Sequence, residues 1–162
     1  MKAVMLSVQP KWCEKIASGE KTIEVRKTKP KLETPFKCYI YCTKGNGMNG
    51  DYLVASGIQC GRVIGEFICD RIICTQAYFD SQGKNHLTNV FPEDIKRTCL
   101  TEYEMWNYIA GKAVKANETY DGWLWHISDL KMYDKPKELR EFRLKTPPQS
   151  WCYVEELQGE NE

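Results

Sequence analysis

Residues 19–27 read GEKTIEVRK, and no other stretch limits the possible folds as tightly. Before it, Trp12, Ile16 and Ala17 recur at helical spacing behind Pro10, a residue suited to the first turn of a helix. Gly19 sits where a helix C-cap is wanted, and Thr22, Ile23 and Val25 then call for a strand. Helix and strand are therefore joined through a tight turn that carries charges of both signs. Strand period puts Thr22, Glu24 and Arg26 on one face and Ile23 and Val25 on the other. Glu24 and Arg26 are then neighbours, close enough to pair. Lys21 has the opposite parity and joins them only if the chain bends just after Gly19.

The rest of the chain supplies more strands than helices. Short apolar runs predict strands over 3–8, 36–44, 62–74, 122–133 and 150–157, with Gly65 a candidate bulge in the third. Thr101 and Glu104 form a capping box ahead of Met105, Trp106, Ile109 and Ala110, which predicts a helix ended by Gly111. A short helix is expected after Pro92, with irregular chain over the rest of 75–99, and another over 134–142 with Asp134 as its N-cap. Residues 45–61 hold five of the eleven glycines and read as a loop. There are no repeats, and neither strict βαβ alternation nor a G-x-G-x-x-G fingerprint, which speaks against a Rossmann fold. Roughly six short strands with two or three helices indicate an α+β protein, most economically a small barrel that leaves few open edges.

With 162 residues, 42% hydrophobic and 28% charged, the chain is long enough for one domain with a core of its own. No run of about 18 apolar residues is present, which excludes a membrane-spanning helix. The apolar run at the N-terminus is too short for a secretory leader, so a cytoplasmic location is expected. Eight cysteines without an export signal point to thiols rather than disulfides. Cys38 and Cys42 fall on the face of Ile40 as buried cysteines would, and no cofactor or metal is expected. Net charge is only +1, but residues 21–31 carry five basic side chains against one Glu. A local basic segment in a neutral protein suits a phosphate-bearing ligand bound at one place.

Gly19, Lys21, Glu24 and Arg26, placed after the first helix, match a G-x-K-x-x-E-x-R block, and the chain thereby resembles the ASCH domain of the PUA-like superfamily. The VIGEF strand, the helix opening at Thr101 and the GWLWHISDL strand fit the same layout. The resemblance spans about residues 2–156. It leaves 45–61 and 75–95 as inserts in a single domain and 155–162 as an acidic tail. It implies a small mixed or antiparallel PUA-like β-barrel flanked by two or three helices, with a cleft lined by the motif. Relatives in the superfamily bind RNA or modified nucleobases. One ASCH branch removes an acyl group from N4-acetylcytidine, and nuclease activity has been attributed to others.

Two readings of the site follow. In the first, RNA or a modified nucleoside or nucleotide is the partner. Glu24, anchored by Arg26, accepts from a base amino group; Arg26 or Lys21 meets phosphate; Trp12 offers a stacking platform; and His126 and Ser128, which share a strand face, reach a ligand. In the second, the protein is a small hydrolase, an amidohydrolase or ribonuclease, with Lys21 as base beside Glu24. The amidohydrolase branch that it resembles carries a nucleophilic Thr where this chain has Glu24, and its further acid has only Glu93, Asp94 and Glu102 as candidates here. Each residue also has a plain structural explanation. Glu24 and Arg26 suit a salt bridge on a barrel rim, Lys21 a solvated surface, Trp12 the core and His126 a satisfied strand position. Cys13 lies near Trp12 but lacks an identifiable base, and His86 sits in a polar stretch.

Overall fold

The computed structural model describes residues 1–44, 57–112 and 114–159. In chain order the elements are β1 (Lys2–Val8), α1 (Pro10–Ala17), β2 (Ile23–Arg26), β3 (Phe36–Cys42), β4 (Arg62–Phe79), β5 (Asn85–Leu87), α2 (Pro92–Thr98), α3 (Glu102–Ala110), β6 (Tyr120–Lys137), a 3-10 turn (Leu139–Phe142) and β7 (Trp151–Glu155). The seven strands form one mixed sheet in the order β2-β6-β4-β3-β1-β7, with β5 paired to β4. Among the described strands, only β1 and β3 pair in parallel. The α+β class and the barrel-like architecture expected from the sequence are both present.

Two strands of 18 residues, β4 and β6, form the backbone of the sheet. Their ladder shifts register at Val63/Gly65, Glu66/Ile68 and Cys69/Ile72, and each shift adds bend and twist. Gly65 sits at the first of them, as its place in the strand predicts. A Cβ there would lie 2.6 Å from the Lys131 carbonyl oxygen, so only glycine lets the two backbones approach. The curled sheet brings its end strands together without pairing them. Side chains cross the seam instead. Arg26 donates to the Ser7 carbonyl (2.7 Å) and to Ser150 Oγ (3.2 Å), and Trp151 Nε1 donates to Thr28 Oγ1 (2.9 Å).

Apolar residues fill three clusters, because the strands are covered on both faces. The barrel interior holds Leu6, Ile40, Phe67 and Trp125, capped by Cys13 and Ile16 of α1. Ile23 and Val25 of β2 pack outward with Leu124 against Met105, Trp106 and Ile109 of α3. Met5, Tyr39 and Phe142 form the third cluster beneath the 3-10 turn. Burial on both faces explains why β1 reads as an unbroken apolar run rather than an alternating one. Cys13, Cys38, Cys42, Cys60 and Cys69 are buried free thiols, with Cys42 and Cys60 Sγ 3.7 Å apart.

Two expectations need correction. Residues 75–79 are not irregular but extend β4, with Thr75 and Ala77 fully buried. β5 then completes a hairpin inside the expected insert at 75–95. Residues 134–137 are not helical, and Asp134 caps nothing. β6 continues to Lys137, and the 3-10 turn that follows has Glu138 as its N-cap. Pro136 is tolerated because Met132 pairs with Gly65 and Lys137 with Val63, so the proline lies in a bulge where no ladder bond is lost. The expected glycine-rich loop at 45–61 lies mostly outside the described residues, as does the end of the acidic tail. Among the described residues no helix is long and apolar enough to cross a membrane.

Candidate functional site

The turn after α1 decides where Lys21 goes. Ser18 is the C-cap of the helix, and Gly19 follows with φ +81°, a left-handed conformation that glycine adopts without steric cost. The chain then doubles back, and the Lys21 amide donates to the Lys15 carbonyl at 3.0 Å. That reversal cancels the parity difference. Lys21 Nζ comes within 3.5 Å of Glu24 Oε2, and Arg26 Nε lies 3.3 Å from Glu24 Oε1. The three side chains expected to form a site therefore meet.

All three are buried, with relative exposures of 3% for Lys21, 7% for Glu24 and 8% for Arg26. Lys21 is no solvated surface lysine. Its ammonium donates to the Thr98 carbonyl at 2.7 Å, at the last residue of α2, where helix carbonyls lack internal partners. Arg26 is held by the seam contacts to Ser7 and Ser150, so its guanidinium fixes the position of Glu24. Two cations thus share one carboxylate. Glu24 Oε2, Arg26 Nε and the Trp125 indole N–H each lack a hydrogen-bond partner among the described residues, so the contacts of Glu24 with the two cations are ion pairs without a formed hydrogen bond. Glu24 and Trp125 face each other across the β2–β6 ladder, so an unmet acceptor and an unmet donor lie on the same side of the sheet.

This cluster lies on the wall of a cleft of about 980 Å³ between the barrel mouth, α1 and α3. Trp12 lines it too, with Lys21 Nζ 5.2 Å and Lys11 Nζ 4.6 Å from its ring; its inner side packs on the barrel core. The sequence reading missed Lys44, Glu104, Tyr108 and Gln149, which also line the cleft. Nothing in the sequence pattern marks Tyr108, which lies on the side of α3 away from the buried Trp106. Burial raises the pKa of its hydroxyl, so at neutral pH it remains a protonated donor.

His126 and Ser128 lie outside the cleft. His126 Nδ1 contacts Asp70 Oδ1 at 2.6 Å, and Ser128 Oγ donates to the Ile68 carbonyl at 2.8 Å. β6 thus turns them toward groups of β4 and away from the lining of the cleft. Glu93, Asp94 and Glu102 also do not line it. Cys13 is fully buried, and its thiol is held protonated by its hydrogen bond with Cys42 and by burial. His86 pairs with Asp80. No group of three or more His, Cys, Asp or Glu side chains is placed to hold a metal among the described residues.

The sequence profile of the ASCH domain matches residues 6–137. The chain belongs to the ASCH domain family. Solved structures agree at the level of the fold. The ASCH protein of Zymomonas mobilis is 18% identical, the match covering 94% of this chain and 87% of that one with a TM-score of 0.62. A single-residue variant of that protein is 19% identical over 96% of this chain and 91% of its own, with a TM-score of 0.64. No curated protein matches. In this ASCH domain, Gly19, Lys21, Glu24 and Arg26 are thus one turn and one strand that deliver three buried charges to a single wall. Chemically, that wall offers a carboxylate acceptor, an excess of positive charge and an aromatic face.

Proposed function

We propose that the ASCH domain binds RNA or a modified nucleotide or nucleobase in the cleft, with Glu24 accepting from an amino group of the base. The observation that carries this reading is the Glu24 carboxylate, buried between Lys21 and Arg26 beside the ring of Trp12, whose Oε2 has the Lys21 ammonium at 3.5 Å but no hydrogen bond. Oε2 keeps unused acceptor capacity beside the loose Lys21 contact, and an exocyclic amine that enters the cleft and displaces that contact can use it. The second cation is left without a carboxylate of its own, which favours a ligand that brings negative charge. Trp12 and Tyr108 offer rings for the base to pack on.

The test is a titration of short RNAs and modified nucleosides against the parent, Lys21→Ala and Glu24→Gln, with circular dichroism to verify folding. Saturable binding that falls tenfold or more in Glu24→Gln is expected, equivalent to about 1.4 kcal/mol or more. Failure of every ligand to saturate, or equal binding by the variants, would overturn the reading. Hydrolysis of an acylated cytidine or of RNA is the second reading, favoured by the contact of buried Lys21 with Glu24. Turnover of N4-acetylcytidine or RNA that disappears in Lys21→Ala would put it first.

A further inference from the structure

A second concavity of about 760 Å³ adjoins the cleft. The two share Ser7, Thr43, Lys44 and Gln149 as common wall, so they make one trough. The shared strip is well anchored: Ser7 Oγ donates to the Pro148 carbonyl at 2.6 Å, and the Ser7 amide to the Ser150 carbonyl at 3.0 Å. Four cations line the second part, Lys44, Arg62, Arg140 and Lys145, against the single carboxylate of Glu138. Glu138 is already divided between Arg62, at 3.9 Å, and Arg140. Lys44 and Lys145 have no ion pair among the described residues. The floor between the cations is apolar, with Leu139 and Leu144 half-buried against the third core cluster.

We infer that this groove carries the sugar–phosphate backbone of a single-stranded nucleic acid whose base occupies the cleft, so that the ligand is a strand and not a lone nucleoside. The inference rests on the cleft holding a nucleotide, as proposed above. A ligand of one nucleoside would need only the first concavity. A strand needs positive charge at intervals along its exit path and apolar surface for its sugars, and this groove supplies both. Lys44, on the shared wall, meets the first phosphate outside the cleft, and Arg140 and Lys145 meet those beyond it.

The probes are cytidine 5′-monophosphate and a mixed-sequence RNA of roughly eight nucleotides, a length within the range that charged single-strand grooves accommodate. They are titrated against the parent, Glu24→Gln and the double variant Arg140→Ala/Lys145→Ala, whose two sites are exposed and so leave the fold intact. The RNA should bind the parent at least tenfold more tightly than the mononucleotide. The double variant should lose about tenfold for the RNA and nothing for the mononucleotide. Its slope of log affinity against log salt should shrink by about 1.4, or 0.7 for each phosphate contact on a single strand. Unchanged RNA binding by the double variant, with Glu24→Gln weakening both probes, overturns the groove and leaves the cleft standing. Equal binding of both probes by Glu24→Gln and parent, or no binding of the RNA at all, overturns the cleft reading and the groove with it. Displacement of the RNA by polyglutamate at equal charge concentration overturns the assignment to nucleic acid.

Discussion

Arg26 serves two structures with one side chain. Its Nε side faces Glu24, and its Nη atoms reach Ser7 and Ser150 across the seam. A lysine keeps the charge but loses the planar fork that spans these partners. Arg26→Lys is therefore expected to lower stability by about 1–3 kcal/mol, read as a lower urea midpoint, and to weaken ligand binding as Glu24 loses its anchor. An unchanged midpoint would show that the seam contacts contribute nothing. At this scale the sequence was informative where period alone decides. Glu24 and Arg26 had to share a face. The burial of Lys21 was not legible, because it depends on the reversal at Gly19 and on a carbonyl at Thr98, 77 residues away. Nor could strand period show that Asp70 and the Ile68 carbonyl already occupy His126 and Ser128.

Elements were legible where their signals are local. The helix from Glu102 to Ala110 was announced by its capping box, and the structure forms both halves of it, Glu104 N to Thr101 Oγ1 at 3.1 Å and Thr101 N to Glu104 Oε2 at 2.7 Å. Thr101→Ala should cost about 1 kcal/mol by denaturant unfolding. Gly65→Ala should cost more, roughly 1–3 kcal/mol, because its Cβ meets the Lys131 backbone rather than a side chain able to move aside. If Gly65→Ala is the milder of the two, the β4–β6 bulge is more pliable than its geometry indicates. The extensions of β4 past Cys74 and of β6 past Tyr133 escaped the sequence reading for different reasons. Residues 134–137 are polar with a proline and are made extended only by the partner strand, whereas Thr75, Tyr78 and Phe79 suit a strand and were overshadowed by the turn residues Asp80 to Gly83 that follow.

Across the whole molecule, three surface carboxylates with lowered pKa give an expectation for acid. Glu20 is held below the ordinary carboxylate range by its hydrogen bond to Lys15, and Asp80 by its hydrogen bond to His86. Asp70 is also lowered: burial pushes it up, but the bond to His126 and the charge of its ring outweigh that. A carboxyl depressed in the folded state stabilises it fully above the unfolded pKa, about 4, and the contribution vanishes as pH falls through the folded value. The melting temperature should therefore drop between about pH 5 and pH 2, and Asp70→Asn with Asp80→Asn should flatten that part of the curve. An identical slope in the double variant would rule these pairs out as the source. The curling of the open sheet was legible only as an economy of edges, because the side-chain contacts across its seam join distant residues. Arg26 reaches Ser150 across 124 positions. On the ribosome, then, the cleft wall remains unfinished until Ser150, 124 positions after Arg26, has been made, which at about 5–20 residues per second takes roughly 6–25 seconds. Until then Lys21, Glu24 and Arg26 lack the part of the wall that Gln149 and Ser150 supply. The cleft therefore cannot form before the segment that carries Ser150 has been made.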